Sequence, residues 1–299
     1  PVPAHLPDTQ ASVTVQTLLS LQVSLSSFLV SHLPLGLQMA RWVAVRSLPV
    51  SVPGMTVNRY CGSGIETIGL ATAKIRAGMA DVIIAGGTES MSLVPTVGYK
   101  TAPNFEIANK HPEYYIGMGL TAENVAVKYG ITREQADLFS FNSHQKAMAA
   151  IEAGKFKNDI VPVEVEEVYY ENGKKKSRKT LVAQDEGPRA DTTLEGLAKL
   201  KPAFKLGGQV TAGNSSQTSD AAAFVLVVSE KVVKELGLQP IARMVTFASA
   251  GVDPTLMGIG PVAAIPKALK QANLSLSDIE LIELNEAFAA QSLAVIQVK

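Results

Sequence analysis

The spacing of apolar residues along the chain alternates between helical and strand-like periods, which predicts a protein of mixed helices and strands. From Cys61 the apolar positions follow helical spacing until Gly78, a residue that favours the end of a helix. A short extended run, Met55 to Tyr60, comes before this helix, and an apolar run, Asp81 to Ala85, follows it. The order strand, helix, strand predicts a βαβ unit whose strands pair in parallel through a right-handed crossover.

The stretch from residue 92 to 118 lacks a regular period, and its prolines and aromatic residues predict a loop-rich insertion. Two helices are predicted after it, at about Thr121 to Tyr129 and Thr132 to Gly154. The second helix starts with the sequence Thr-Arg-Glu-Gln, which is typical of a capping box.

Two runs of strand-forming residues, Ile160 to Tyr170 and Lys176 to Val182, flank the dipeptide Asn172-Gly173. This arrangement predicts a β-hairpin with a two-residue turn. The basic residues near its tip are Lys174, Lys175, Lys176, Arg178 and Lys179. They could attract a phosphate group, although a solvated hairpin end explains them more simply.

The last third of the chain repeats the alternation of strand and helix. The predicted elements are a strand at Asp220 to Ser229, a helix at Glu230 to Leu236, a strand at Ile241 to Ala250, a helix from Gly258 to about Ala272, a strand at Asp278 to Leu284 and a helix from Glu286. This order predicts a second βαβ-type half that begins near Ile241. It is too short to close a sheet.

Composition narrows the function classes. With 299 residues the chain can form two domains, or one large domain with an insertion. Lys plus Arg and Asp plus Glu are equal at 27 each, which argues against a nucleic-acid-binding surface as the main function. A single cysteine excludes an intrachain disulfide. The four histidines, His5, His32, His111 and His144, lack the spacing of metal ligands, so no metal site is expected.

Residues 1–35 differ from the rest of the chain and receive no functional assignment. Through Met39 the only full charge is Asp8, and the run Val13 to Val30 is rich in Ser, Leu and Val without a clear helical period. A signal peptide would need a basic start, and a membrane span would need fewer serines. We expect an incomplete or misread start of the gene in preference to a true extension or targeting segment.

Cys61, the only cysteine of the chain, lies where the extended run meets the helix. It is either a catalytic nucleophile or a small buried hydrophobic residue. The first-turn N–H groups and the helix dipole favour a thiolate at this point, and Gly62 and Gly64 would let a substrate approach the backbone. We therefore interpret Cys61 as the nucleophile.

Five stretches in order carry a resemblance to a known family. They are Asn58-Arg59-Tyr60-Cys61-Gly62-Ser63-Gly64, Ala85-Gly86-Gly87-Thr88-Glu89-Ser90-Met91-Ser92, Gly119-Leu120-Thr121-Ala122-Glu123-Asn124, Thr211-Ala212-Gly213-Asn214-Ser215-Ser216-Gln217 and Asn285-Glu286-Ala287-Phe288. Together they resemble the thiolases, which transfer acyl groups between coenzyme A thioesters. The resemblance covers about Gly36 to Lys299 and is weak before Pro49.

The resemblance implies an α/β fold in which two similar βαβ-type halves pack together and a loop domain interrupts the first half. Residues 36–91 and 220–240 would form the N-terminal half with the nucleophile, and residues 92–219 the loop domain with substrate and coenzyme A contacts. Residues 241–299 would be the start of a truncated C-terminal half.

The implied reaction is thiolytic cleavage of a 3-ketoacyl-CoA to acetyl-CoA and a shortened acyl-CoA through an acyl-cysteine intermediate, as in fatty acid β-oxidation. Cys61 matches the family's nucleophile, and Asn285 matches the asparagine that positions a water at the thioester oxygen. The alternative for Asn285 is a helix N-cap, and with the family match we expect this residue to have both roles. Ser216 matches a serine that contacts the pantetheine arm, against a solvated loop serine as the alternative. Met118, Met257 and Phe288 match pocket residues, and plain core positions are the alternative for them.

Two elements of the family's catalytic set are absent from the sequence. The family's general base is a histidine in a Gly-His-Pro motif and its second cysteine lies in a Gly-rich turn, whereas no histidine follows His144 here. We therefore expect this truncated chain to be inactive. Gly117 and the sequence Asn214-Ser215-Ser216-Gln217 resemble the degradative 3-ketoacyl-CoA thiolases more than the biosynthetic ones.

Two other functions stay open. One is a non-catalytic acyl-CoA-binding relative that has lost its base, and the other is a condensing enzyme that uses a carrier-bound acyl group, although Asn285-Glu286-Ala287-Phe288 favours a thiolase. The partners implied are acyl-CoA and CoA, with coenzyme A as a substrate and no separate cofactor. The resemblance also implies a homo-oligomer, dimer or tetramer, without a membrane span. The location expected is cytoplasmic, or peroxisomal or mitochondrial in a eukaryote.

Overall fold

The computed structural model describes residues 13–17, 48–49, 51–92, 94 and 102–298. The strands are β1 (Val13–Thr17), β2 (Val82–Ser90), β3 (Val163–Glu171), β4 (Lys174–Val182), β5 (Asp220–Ser229) and β6 (Ala242–Arg243). The α-helices are α1 (Ser63–Arg76), α2 (Phe105–Lys110), α3 (Met118–Tyr129), α4 (Arg133–Glu152), α5 (Leu194–Ala198), α6 (Glu230–Leu236), α7 (Gly260–Ala272) and α8 (Ala289–Gln297). Short 3₁₀ helices lie at Tyr60–Gly62, Pro112–Tyr115, Ala212–Asn214, Pro254–Ile259 and Leu276–Asp278.

The chain forms two compact units and contributes three segments to each. The first unit comprises residues 1–101, 161–183 and 219–247, and the second comprises residues 102–160, 184–218 and 248–299. The units are described separately below. The domain boundaries expected from the sequence stay a prediction.

A four-stranded sheet forms the centre of the first unit, with the strand order β2-β5-β1-β6 and antiparallel pairing throughout. Helix α1 lies where the helical spacing predicts it, and it packs on β2 and β5. The buried residues at this contact are Ala71, Ile75, Ala85 and Val227. These side chains form the core beneath the helix that follows Cys61.

The predicted parallel βαβ unit is wrong for the described residues. Strand β2 confirms the apolar run after α1, but its neighbour is β5, which runs antiparallel to it. Met55 to Tyr60 is not a strand, and Met55 is exposed. The apolar pattern of this run indicates a local preference for an extended backbone, whereas a strand also needs hydrogen bonds to a neighbouring strand. No strand of the described residues pairs with this run.

The pairing of β2 with β5 brings the two backbones unusually close at one glycine. Gly86 faces Phe224, and a Cβ atom added to Gly86 would lie 2.2 Å from the carbonyl oxygen of Ala223. At the next position, Gly87, an added Cβ would meet nothing within 4 Å. Of these two adjacent glycines, only Gly86 is required by packing.

Strands β3 and β4 form the predicted hairpin as a two-stranded sheet. The two turn residues, Asn172 and Gly173, have φ angles of 52° and 75°. Positive φ at both central residues is the signature of a type I′ turn, which Asn-Gly favours.

The basic residues of β4 face acidic residues of β3. Arg178 Nε donates to Glu167 at 2.6 Å, Lys179 Nζ donates to Glu164 at 2.7 Å, and Lys176 pairs with Glu171. All these side chains are exposed, so each pair contributes little to stability. Cross-strand pairing thus occupies three of the five basic residues that the sequence places near the tip.

The second unit contains the two predicted helices α3 and α4. At the start of α4 the Thr132 Oγ1 accepts from the Gln135 N–H, and the Gln135 side chain accepts from the Thr132 N–H. The expected capping box is confirmed. Helix α8 packs on α3 and α4 around a core of Val125, Ala126, Ile131, Leu256, Ala290 and Ala294.

The end of the chain has fewer strands than the apolar pattern predicts. Helices α6 and α7 match their predicted positions, but the predicted strand Ile241 to Ala250 is reduced to the two residues of β6. The predicted strand Asp278 to Leu284 is wrong, because a 3₁₀ helix ends at Asp278 and no strand follows before α8. Helix α8 begins at Ala289, three residues later than expected.

Strand β1 lies in the stretch that received no assignment from the sequence, and it pairs with both β5 and β6. The rest of residues 1–35 lies outside the described residues. Among the helices that the structure describes, none is long and apolar enough to cross a bilayer.

Candidate active site

Cys61 is the middle residue of the 3₁₀ helix Tyr60–Gly62, which leads directly into α1 at Ser63. Its side chain is exposed. The structure therefore excludes the alternative of a buried hydrophobic cysteine. An exposed thiol at the N-terminus of a helix is favourably placed to act as a nucleophile, because the helix dipole stabilises negative charge there.

The residue before the cysteine has a strained backbone. Tyr60 has φ of 47°, in the left-handed region that residues other than glycine rarely adopt. Three hydrogen bonds hold the turn: Asn58 Oδ1 accepts from the Tyr60 N–H at 2.9 Å, Ser63 Oγ accepts from the Arg59 N–H at 2.8 Å, and Ser63 Oγ donates to the Tyr60 carbonyl at 2.7 Å. Strain maintained by surrounding contacts is typical of functional sites.

An ion pair spans the same turn. Arg59 Nε lies 2.7 Å from Glu66 Oε2, and Glu66 is in the first turn of α1. The Glu66 side chain is largely buried, whereas that of Arg59 is half-exposed. Arg59 thus balances the charge of Glu66, the one carboxylate close to Cys61 in sequence. The same pairing restrains Arg59, which lies two positions before Cys61.

Two predicted site residues, Ser216 and Asn285, line one depression of about 240 Å³ in the second unit. The other polar residues around it are Ser140, Ser143, His144, Asn214, Ser215, Gln217 and Glu286. The Ser216 N–H donates to the Ala287 carbonyl at 2.9 Å, and Ser215 forms a β-bridge with Phe288. The structure thus joins the loop of Ser216 to the segment of Asn285.

Asn285 is not the N-cap of α8, since Phe288 occupies that position and Asn285 is exposed. The N-cap alternative is therefore wrong. Beside it, Glu286 Oε2 accepts from Ser143 Oγ at 2.6 Å, which ties the segment to α4. The predicted role of Asn285 in holding a water stays a prediction.

The three apolar site residues also lie in the second unit. Met118, the first residue of α3, is 46% exposed, and Met257 is 45% exposed, so neither is a core residue. Phe288 is half-buried and meets Phe204 edge to face, with ring centroids 6.1 Å apart. A Cβ at Gly119 would lie 2.1 Å from the Phe204 ring, so the start of α3 packs closely on Phe204.

The buried Asn214 anchors the loop that carries Ser216. Its side-chain amide donates to Asp137 Oδ1 at 2.9 Å and to the Gln209 carbonyl at 3.1 Å, and its Oδ1 accepts from the Thr211 N–H at 2.8 Å. Arg133 Nε donates to Asp137 Oδ2 at 2.7 Å. The Arg133 guanidinium also donates to the carbonyls of Leu197 and Leu200. One network thus connects the loop with the start of α4 and the end of α5.

His144 was not expected at the site, because the histidines appeared scattered in the sequence. Its Nδ1 accepts from the Arg189 N–H at 3.1 Å, which assigns the proton of the neutral ring to Nε2. Burial lowers the pKa of His144, and the Arg189 charge lowers it further, against opposing effects of Asp191 and Glu286. Nothing in the sequence indicates a role for His144, because its hydrogen-bond partner Arg189 lies 45 positions away.

The lowered pKa of His144 makes stability depend on pH. Because the unfolded chain binds the proton more readily than the folded chain, stability should fall as pH drops through about 6.5, the ordinary pKa of histidine. His144→Gln should reduce this loss, and thermal unfolding of both proteins between about pH 5 and 7.5 measures it. Parallel unfolding curves for the two proteins across that range would contradict the prediction.

Among the residues that the structure describes, no group of three His, Cys, Asp or Glu side chains is arranged to hold a metal ion. The expectation that coenzyme A acts as a substrate without a further cofactor stays an expectation.

Comparison with known families covers almost the whole chain. The family described as "Thiolase, N-terminal domain" matches residues 23–231, and "Thiolase, C-terminal domain" matches residues 238–298. The first match begins earlier than the motif-based resemblance, which starts at about Gly36.

Among curated relatives, the 3-ketoacyl-CoA thiolase of Bacillus subtilis is 53% identical over 264 residues, which cover 88% of this chain and 68% of that protein. The acetyl-CoA acetyltransferase of Pseudomonas aeruginosa is 49% identical over 271 residues, which cover 86% of this chain and 67% of that protein.

The solved structures that this chain resembles are also thiolases. Human mitochondrial 3-ketoacyl-CoA thiolase is 34% identical with a TM-score of 0.79, over 97% of this chain and 83% of that chain. The dimeric peroxisomal thiolase of Saccharomyces cerevisiae is 36% identical with a TM-score of 0.79, over 90% of this chain and 67% of that chain. The human enzyme in complex with CoA is 39% identical with a TM-score of 0.75, over 89% and 68%. The α/β thiolase fold expected from the sequence is confirmed, and the chain belongs to the thiolase family.

Proposed function

We propose that this chain is an acyltransferase of thiolase type that cleaves a 3-ketoacyl-CoA through an acyl-Cys61 intermediate. The observation that carries the proposal is the exposed Cys61 thiol, held by a strained turn at the N-terminus of α1. It lies inside the region matched by the thiolase N-terminal domain.

The reaction needs two transfers of the acyl group. The Cys61 thiolate attacks the 3-keto carbon, and the bond between the second and third carbons breaks with its electron pair moving to the second carbon. The acetyl-CoA enolate formed in this way takes up a proton and leaves as acetyl-CoA. The coenzyme A thiolate then attacks the acyl carbon of acyl-Cys61, and Cys61 departs as the thiolate.

The second unit supplies the proposed contacts to the coenzyme A part. Ser216 and Asn285 line a common polar depression, in which a hydroxyl and an amide could bind carbonyl oxygens. The Ser216 Oγ donates to the Gln217 carbonyl at 3.1 Å and would exchange this bond for one to the ligand. Met118, Met257 and Phe288 add partly exposed apolar surface for the pantetheine and acyl chains. A relative whose structure was solved in complex with CoA supports coenzyme A as the ligand.

We propose the degradative direction on the basis of Gly117 and the Asn214 to Gln217 sequence. The names of the relatives include both 3-ketoacyl-CoA thiolase and acetyl-CoA acetyltransferase. We also propose a homo-oligomer, for which the dimeric yeast thiolase is the nearest support. The cytoplasmic location stays a prediction, since the solved relatives include mitochondrial and peroxisomal proteins.

The acyl-transfer proposal is tested by intact mass after incubation of the purified chain with 3-ketohexanoyl-CoA. A butanoyl adduct should appear on the peptide that contains Cys61 and be absent from Cys61→Ser. An adduct that forms equally on Cys61→Ser would contradict the assignment of Cys61 as the nucleophile.

The second candidate is an acyl-CoA-binding relative without catalysis, which the polar depression lined by Ser216 and Asn285 would serve as well. The same experiment separates the two functions. Saturable binding of 3-ketohexanoyl-CoA with no adduct on Cys61 would replace the acyltransferase with the binding protein.

A further inference from the structure

We propose that Glu123 and Asn124, neighbours on α3, are positioning residues that hold two segments of the coenzyme A site in register. Each side chain binds the backbone of a different segment that carries a predicted substrate contact. The inference rests on the proposed function, because it concerns how the coenzyme A contacts are placed. Both residues belong to one of the motifs shared with thiolases, and neither has a role in the reaction described above.

Glu123 is a buried carboxylate whose hydrogen-bond partners are backbone N–H groups. It is 2% exposed. Its Oε1 accepts from the N–H groups of Gln209 and Val210, each at 2.9 Å, and its Oε2 accepts from the Gln209 N–H at 3.0 Å. No ion pair within the described part of the chain includes Glu123. These donors therefore stabilise a charge that burial would otherwise penalise.

The chain wraps closely around this carboxylate. A Cβ atom on Gly208 would lie 2.1 Å from Glu123 Oε1, so only glycine fits beside it. The preceding Gly207 has φ of 68°, and the Gly208 N–H donates to the Lys205 carbonyl at 2.9 Å. The two glycines thus let the backbone turn its N–H groups onto the carboxylate, as in other anion-binding turns.

The clamped residues lead directly into the loop of Ser216. Val210 precedes Thr211, whose carbonyl accepts from Ser215 Oγ at 2.6 Å. Any shift of Val210 relative to α3 would therefore pass through Thr211 and Ser215 to Ser216. The carboxylate fixes the base of this loop against the helix.

Asn124 performs the same task for the segment of Met257. Its Nδ2 donates at 3.1 Å to the carbonyl of Thr255, which belongs to the 3₁₀ helix Pro254–Ile259 together with Met257. Helix α3 itself begins with Met118, a third predicted contact. Helix α3 therefore carries one predicted substrate contact, Met118, and holds the two segments that carry Ser216 and Met257.

A buried charge is a costly way to gain stability alone, because apolar side chains of similar volume often serve as well. A carboxylate that accepts from two successive backbone N–H groups, one of them shared between both oxygens, does define the position of its donors sharply. The function that fits Glu123 is therefore to set the position of the loop that carries Ser216. Asn124 sets the position of the segment that carries Met257.

Calorimetric titration of the purified chain with coenzyme A tests the proposal. Glu123→Gln keeps the size of the side chain but removes the charge and places an amide N–H₂ against a backbone donor, so Kd should rise about tenfold or more. Asn124→Leu removes one neutral hydrogen bond, so Kd should rise about fivefold. This milder variant keeps the test decisive if Glu123→Gln does not fold.

Ile75→Ala is the control for loss of stability. Ile75 is buried in the core of the first unit with Ala71, Ala85 and Val227, and none of these residues belongs to either clamped segment. The substitution should lower the midpoint of thermal unfolding while leaving Kd for coenzyme A unchanged. An equal rise in Kd for Ile75→Ala would show that the effect is merely loss of stability, and it would overturn the positioning role.

The remaining outcomes separate this inference from the function it rests on. Tight binding of coenzyme A by the unchanged chain, with unaltered Kd in Glu123→Gln and Asn124→Leu, would overturn the positioning role and leave the proposed function intact. Failure of the unchanged chain to bind coenzyme A would overturn both.

Discussion

Gly86→Ala should destabilise the protein by about 3 kcal/mol, because the added methyl group has no room between β2 and β5. It would lie 2.2 Å from the Ala223 carbonyl oxygen and 2.7 Å from Cα of Phe224. Both are backbone atoms of the paired strand, so relief of the clash requires movement of the strand. In a protein of this size the loss corresponds to a fall in Tm of roughly 5 °C, measurable by calorimetry.

Gly87→Ala is the control for this substitution. The residue is adjacent in the same strand, is exposed, and has nothing within 4 Å of an added Cβ. Its effect should stay within about 0.5 kcal/mol. Equal Tm values for the two alanine variants would contradict the close contact between the strands.

Asp137→Ala should cost about 3 kcal/mol in the second unit, because it removes the shared acceptor of a buried network. Asp137 is 4% exposed and accepts from Arg133 Nε at 2.7 Å and Asn214 Nδ2 at 2.9 Å. Its loss leaves a guanidinium charge without its carboxylate and a buried amide donor without an acceptor. Chemical denaturation of the variant and the unchanged chain measures the difference.

Asp159→Ala serves as the comparison, since Asp159 is an exposed aspartate of the same unit. It should change the free energy of unfolding by no more than about 0.5 kcal/mol. The network would be energetically unimportant if Asp137→Ala and Asp159→Ala unfolded at the same denaturant concentration.

The elements that the sequence predicts well are those specified by adjacent residues. The start of α4 follows from Thr132 and Gln135, whose side chains satisfy N–H groups within one turn. The turn of the hairpin follows from Asn172 and Gly173, which accept positive φ at low cost. In both cases the interaction that decides the structure spans only a few residues.

Strands are harder to predict from the sequence than turns and helix starts, because a strand forms only where it finds a partner, which can lie far along the chain. Strand β5 pairs with β1 and β2, each more than a hundred residues earlier in the chain. The runs Met55 to Tyr60 and Asp278 to Leu284 have apolar patterns of the same kind, yet no strand of the described residues pairs with them. Periodicity shows which face of a strand would be apolar but not which neighbour it finds.

The site was predictable only as far as its motifs reached. Cys61 was predicted as the nucleophile from its motif and from the helix that follows, whereas its exposure had to come from the structure. His144 and Glu123 were missed because their roles depend on backbone N–H groups at Arg189 and Val210, far along the chain. Because every residue except proline has a backbone N–H group, the sequence does not indicate which residue will donate such a hydrogen bond.

The two strands of the hairpin carry opposite charges, which protects the hairpin from pairing with the same hairpin in a second copy of the chain. Strand β3 carries the glutamates and β4 the lysines and arginine, and no third strand of the described residues covers either edge. A two-fold association through β3 would bring glutamates together, and one through β4 would bring lysines together. The cross-strand ion pairs thus do little for stability, but the segregation of charge between the strands discourages symmetric edge-to-edge aggregation.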